Sequence, residues 1–367
     1  MTEQELSAYI QAIRPADEAA MEAARRRQAQ LAKPPGSLGQ LEEISIRLAG
    51  VTGQVCPAMG KCRVAVFAAD NGVVAEGVSC TPPAVTMQQA VNMTFRKTGM
   101  SAMAAAFGDD VSVVDVGIDG DVPPVGVLDR KVRRGTGDIA REDAMTRQQV
   151  LDAMAAGMEQ AARARADGVT ALGIGEMGIG NTTTSAAVLA ALTGADIEAV
   201  TGRGGGLTDE GFLRKKEVLR QALALHRPDG NDVIGVLAGV GGLDLAAMTG
   251  AFLGCAHERV PAAVDGFISI AAALCAVRLC PAVRDVLFLS HDSYEVGYRI
   301  AAETLGLQPC LRLGMRLGEG SGCPLLFRVL EGACGVMRGM ATFGEASIED
   351  SYLDEIRAMD AFTVEAT

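Results

Sequence analysis

Residues 169–193 read VTALGIGEMGIGNTTTSAAVLAALT, and their order decides the fold. A short apolar run over 169–175 ends in a loop with glycines at 178 and 180. An alanine-rich stretch then runs from Asn181 to Thr193. Strand, glycine turn and helix make the repeating unit of a parallel sheet. Such strands are covered on both faces and read as unbroken apolar runs. The unit recurs along the chain. CRVAVFAAD (62–70), VSVVDVGI (111–118), DVIGVLAGV (232–240), PAAVDG (261–266) and VLFLSH (286–291) read as further strands, each followed by polar or glycine-rich residues. The expected fold is α/β, a Rossmann-like doubly wound parallel sheet with helices on both faces.

Outside this core the pattern changes. Residues 3–13 predict one helix, and Pro15 stands where a second begins, running through Arg25, Arg26 and Arg27 to about Ala32. KPPGSLG (33–39) breaks the chain, and Ser37 is a candidate cap for the helix that follows. Strand signals stop near residue 325. The expected division is therefore a small all-helical domain, built from 1–50 and 325–367, around a parallel α/β catalytic domain of 51–324.

Composition narrows the function. The 367 residues are 49% hydrophobic and 21% charged, which excludes an intrinsically disordered chain. A net charge of −12 argues against a nucleic-acid or anionic-membrane surface, so any anionic ligand must be held by local dipoles. Aromatic residues are only 4%, which leaves few rings to stack on single-stranded bases. Nine cysteines without a CxxC, behind a charged N-terminus, read as reduced thiols in the cytoplasm. The longest apolar stretches contain Asp244 and Asp265 and many glycines, so they read as buried core and not as membrane spans.

In an open parallel sheet, ligands sit beyond the carboxyl ends of the strands. The loops expected there are ADNGVVAEG, GIGEMGIGNTTTS, TGRGGGLTDEG, DGF, SHDSYEVG and LGMRLGEGSG. Gly178 and Gly180 let backbone approach a ligand, and Asn181, Thr182 and Thr183 open a helix whose N-terminus suits one phosphate. No Lys follows, so this is not a Walker loop. Taken alone, these residues read first as ordinary capping by Asn and Thr. The glycines around Arg203, including Gly204 and Gly205, can wrap a phosphate or ribose, with Thr208 capping a helix that carries Lys215 and Lys216. Glu176 follows a strand. Glu319 stands between glycines with no helix role, which looks placed for chemistry, although either glutamate taken alone reads first as a surface turn acid. Asp70 and Asp265 end strands and are candidates for chemistry or for holding loops. His226, His257 and His291 lie too far apart to suggest a metal set.

Taken together, KPPGSLG, the Asp70–Ser79 segment, GEMGIGNTT, GRGGG, DGFIS, SHDSYEVG and LGEGSG resemble the nicotinate-nucleotide–dimethylbenzimidazole phosphoribosyltransferase family, in order from about residue 33 to 323. The resemblance implies transfer of the phosphoribosyl group of nicotinate mononucleotide to 5,6-dimethylbenzimidazole, a late step of cobalamin synthesis, giving α-ribazole 5′-phosphate and nicotinate. It implies Glu319 as general base, with Glu176 and Lys215 as further active-site positions. Phosphate and ribose contacts fall on Gly178, Gly180, Asn181, Thr182, Thr183, Arg203, Gly204, Gly205, Ser293 and Gly318. The base pocket draws on Asp70, Ser79, Gln89, Met177 and Leu317, with Gln88 an alternative to Gln89 and Lys216 to Lys215. It further implies a homodimer, small-molecule partners only, and no metal or cofactor.

The implied chemistry is self-consistent. The pyridinium of nicotinate mononucleotide leaves as a neutral ring and needs no acid. The attacking benzimidazole must shed its second N–H proton, for which one carboxylate suffices. A second carboxylate favours a cationic sugar in the transition state. Displacement inverts the anomeric carbon. The chain carries Asn71 where many members have His, and Cys80-Thr81-Pro82-Pro83 follows GVS. The accepting base therefore stays open among a benzimidazole, a purine and a phenol. Hydrolysis of the nucleotide, or non-catalytic nucleotide binding, are the competing readings.

Overall fold

A computed structural model describes residues 1–354. Six strands form one sheet: β1 (Cys62–Ala69), β2 (Asp110–Gly117), β3 (Val127–Asp129), β4 (Ala171–Met177), β5 (Ala262–Val264) and β6 (Leu287–Leu289). Their order is β3-β2-β1-β4-β5-β6, and every pairing is parallel. The chain winds outward from β1 to β3, then returns to the centre as β4 and winds outward the other way. The strand order thus reverses between β1 and β4, the place where such sheets bind ligands. All seven residues of β4 are buried, as its unbroken apolar reading requires.

One expected strand is a helix. Residues 232–240 form Val233–Val240, with Asp232 as its cap accepting from the Gly235 amide at 3.0 Å. A short apolar run buried on all sides suits strand or helix alike, and the aspartate at its start was the deciding signal. β3 went unread because three edge residues, two half-buried and one exposed, carry almost no pattern. The helix expected at Ser37 begins instead at Gln40, after Gly39 in a positive-φ turn with no side-chain cap.

The small residues of the composition let helices touch through their backbones. A Cβ at Gly157 would lie 1.8 Å from the Ala247 carbonyl, and one at Gly250 would lie 2.0 Å from that of Met154. Arg147–Ala166 and Leu243–Glu258 therefore pack at main-chain distance on one face of the sheet. The chain ends meet beside it. Ala20, Ala24, Leu31 and Ala49 pack on Met337 of the helix Cys323–Gly339, and Leu31 bridges Thr342. The KPPGSLG turn is fixed there by a 2.6 Å pair between the buried Lys33 ammonium and Glu42. The last expected helical stretch, 355–367, lies outside the described residues. Among the described residues, no helix is long and apolar enough to cross a membrane.

Candidate active site

A cavity of about 270 Å³ opens beyond the carboxyl ends of β1, β4, β5 and β6. Its polar wall comes from two glycine turns. After β4, Gly180 adopts φ 94° and starts the helix Asn181–Thr193 without a side-chain cap. The second turn, 202–206, puts Gly204 at φ 55° against the first: a Cβ there would stand 2.9 Å from Thr182 Oγ1. Glycine is required by both the angle and the approach. Lys215 underlies this contact. It has no exposed surface, and its Nζ donates to Thr182 Oγ1 at 2.8 Å and to the Gly202 carbonyl at 3.1 Å. Burial lowers its pKa to about 8, against the opposing pull of Glu295.

The carboxylates stand between this wall and an apolar one. Glu176, 7% exposed near the end of β4, has its pKa pushed up to about 8 by burial, with Asp244 and Asp265 adding to the rise. Its Oε2 accepts from Asn181 Nδ2, and its Oε1 accepts from the Glu319 amide at 3.3 Å. Gly318, Glu319 and Gly320 all take positive φ: 81°, 64° and 83°. A glutamate in this region is strained, and the structure around it must hold it there. Asp265 does so, accepting from the Gly320 amide at 3.0 Å and the Gly322 amide at 2.7 Å. The Glu319 carboxylate accepts from the Met100 amide at 3.2 Å, at the start of the helix Gly99–Phe107. Burial raises its pKa, partly offset by the Met100 and Thr98 hydrogen bonds.

The apolar wall contains Val78, Val85, Met177, Leu207, Phe267, Ile268 and Leu317. Ser79, Cys80, Thr81 and Gln89 edge it with polar atoms, and Arg316 covers the Tyr294 ring at the rim.

Most of the sequence-predicted residues meet in this cavity: Glu176, Glu319, Gly178, Gly180, Asn181, Thr182, Arg203, Gly204, Gly205, Ser293, Gly318, Ser79, Gln89, Met177 and Leu317 all line it. Three do not. Lys215 lies behind it, as described. Thr183 is buried inside its helix. Asp70 faces the neighbouring loop, where its Oδ2 accepts from the Asp119 amide at 2.8 Å. Arg203 lines the cavity, but its guanidinium is committed to the Leu207 carbonyl, to Asp209 and to the Phe212 ring. Gln88 is exposed, and Lys216 pairs with Glu198. Asn71 is buried beneath Gly178 and does not touch the cavity. Sequence reasoning missed Phe267, Ile268, Glu295 and Arg316 as lining residues. Each lies inside a quoted motif, DGFIS, SHDSYEVG or LGMRLGEGSG, so reading the side chains between the glycines as lining residues would have found them.

A cleft at the reversal point of a parallel sheet, walled by glycine turns on one side and apolar side chains on the other with carboxylates between, is of the kind that a transferase acting on a sugar phosphate needs. The chain belongs to the family described as DBI_PRT, phosphoribosyltransferase, whose model matches residues 13–348. It is 46% identical to the nicotinate-nucleotide–dimethylbenzimidazole phosphoribosyltransferase of Clostridium perfringens (strain 13 / Type A), over 93% of this chain and 94% of that one. The protein of the same name in Geobacter metallireducens is also 46% identical, over 94% and 98%. The crystal structure of CobT from Thermus thermophilus superposes with a TM-score of 0.88 at 44% identity, covering 91% of this chain and all of that one.

Proposed function

We propose that the protein transfers the phosphoribosyl group of nicotinate mononucleotide to 5,6-dimethylbenzimidazole, releasing nicotinate and α-ribazole 5′-phosphate. The observation that carries this reading is the meeting of Glu319, on its glycine turn, with Glu176, at the end of β4, between a polar glycine wall and an apolar slot. The apolar wall suits a flat aromatic base, and the glycine turns backed by Lys215 suit a phosphorylated ribose. Glu319 takes the N–H proton of the attacking base; its burial keeps the carboxylate basic enough for the task. Glu176, when ionised, stabilises the positive charge that develops on the ribose. The leaving pyridine is neutral and needs no proton. Lys215 braces the phosphate turn through Thr182 and adds positive potential from behind. We also read the protein as a homodimer, supported by exposed Tyr294, Val296, Leu313 and Leu317 on adjoining loops, and as cytoplasmic, supported by its nine free cysteines.

The test is a mass-spectrometric assay of purified protein with nicotinate mononucleotide, with and without 5,6-dimethylbenzimidazole. Nicotinate release that depends on the base, with appearance of the new ribotide, is the expected result. Release without added base would replace transfer with hydrolysis. A panel including a purine and a phenol ranks the acceptors.

A further inference from the structure

The carboxylate that shapes this site from outside it is Asp244. It is the second residue of the helix Leu243–Glu258, fully buried in the apolar run VIGVLAGVGGLDLAAM (233–248). Its Oδ1 accepts from the Leu245 amide at 2.9 Å, and its Oδ2 accepts from Asn181 Nδ2 at 3.0 Å. The same Asn181 nitrogen donates to Glu176 Oε2, so one amide group bridges two acids.

The fit around Asp244 is tight. A Cβ on Gly178 would lie 2.6 Å from its Oδ2, and one on Gly242 would lie 2.4 Å from its Oδ1. Asn71 closes the slot, lying close to both glycines. Among the described residues no lysine, arginine or histidine forms an ion pair with Asp244 or Glu176. A buried acid without a cation lowers stability, and an amide or apolar residue would be cheaper there. Its hydrogen bonds instead form a continuous path. Asp244 holds Asn181, Asn181 holds Glu176, and Glu176 receives the Glu319 amide.

We propose that Asp244 is a positioning residue for the transfer reaction: bridged by Asn181, it fixes the Glu176 carboxylate and thereby the turn that presents Glu319. The inference rests on the proposed function for its kinetic part and on geometry alone for the rest. Asp244 also acts electrically. The acids facing Glu176 are Asp244 and Asp265, the latter beside His291; Asp70 faces Asp244 from the loop after β1. Removing the charge at 244 takes one of the two acids away from Glu176, so Glu176 gives up its proton at lower pH.

The test compares Asp244→Asn, close to isosteric, with Asn181→Ala and the double variant in the full-length protein. The expected kcat of Asp244→Asn is about 10- to 100-fold below wild type, with both KM values within about 3-fold, as for a misplaced catalytic group. In the Asn181→Ala background the Asp244 change adds nothing further, because the path is already cut. Independently of turnover, 13C NMR titration of the Glu176 side-chain carboxyl, assigned with Glu176→Gln, shifts to lower pH in Asp244→Asn. If Asp244→Asn does not fold, Asp244→Ser keeps a partner for the Leu245 amide and takes its place. Wild-type kcat in Asp244→Asn, additive effects in the double variant, or an unmoved Glu176 titration would each overturn the proposal. A wild-type protein that transfers nothing would instead strike the functional reading, and the titration would still judge the positioning role.

Discussion

The main-chain amide of Glu319 donates to the Glu176 carboxylate across 143 residues of sequence. The turn that carries the proposed base is therefore tied directly to the proposed charge-stabilising acid at the end of β4. A Cβ at Gly318 would lie 2.5 Å from Glu176 Oε1, which explains glycine on that side. Displacing either acid displaces the other.

Replacing Glu319 with Gln keeps the shape and removes the proton acceptor. The expected loss in kcat is about 10²- to 10⁴-fold, the usual contribution of a positioned base, with KM for either substrate little changed. Initial-rate kinetics decide it; unchanged turnover would take the base role away from Glu319.

The pH profile follows from three groups. Glu319 and Glu176 must be ionised, and both have raised pKa values, Glu176 at about 8. Activity therefore falls as pH drops below that range. Lys215, lowered to about 8, loses its charge as pH rises, which weakens the hold on phosphate. The expected kcat/KM profile is a bell with its maximum near pH 8. A flat profile across about three pH units around that maximum would contradict these assignments.

Buried Glu176 also links pH to stability. Its folded pKa of about 8 lies above its ordinary value of 4.5, so the folded state holds an extra proton between the two. The wild-type protein is favoured at low pH by this group and loses that advantage as pH rises to about 8. Glu176→Gln has no such loss. Its melting temperature relative to wild type should climb between about pH 5 and about pH 8.5, and a constant difference would show that Glu176 ionises freely in the fold.

The φ of 64° at Glu319 is tolerated by glycine far better than by any other residue. Glu319→Gly should therefore be more stable than Glu319→Ala, by about 1 kcal/mol, although both are inactive. Urea unfolding of the pair measures this, and equal midpoints would mean that the turn relaxes in the variants.

Much of this was legible beforehand, for identifiable reasons. Strands β1, β2, β4, β5 and β6 announce themselves because burial on both faces forces unbroken apolar runs. Residues 232–240 misled because a helix buried on all sides obeys the same rule. The glycine loops revealed the cleft, since a close backbone approach leaves few alternatives to glycine. What stayed hidden was direction. Nothing in the sequence says that Asp70 turns toward Asp119, that Lys215 lies behind its loop, or that Asn181 faces two acids instead of a phosphate. Asp244 was visible only as an acid in an apolar run, and its use depends on contacts that form when distant segments meet.

Sheet order also governs when this protein becomes itself during synthesis. A ribosome that has released β1 to β4 has already made Glu176, but Asp244, Asp265 and Glu319 are still to come. Until Gly320 and Gly322 emerge, Asp265 lacks the two amides that satisfy it. Unsatisfied buried acids make a compact intermediate costly. A chain cut short before residue 322 keeps neither the base-bearing turn complete nor both amide donors of Asp265, so activity and stability are lost together.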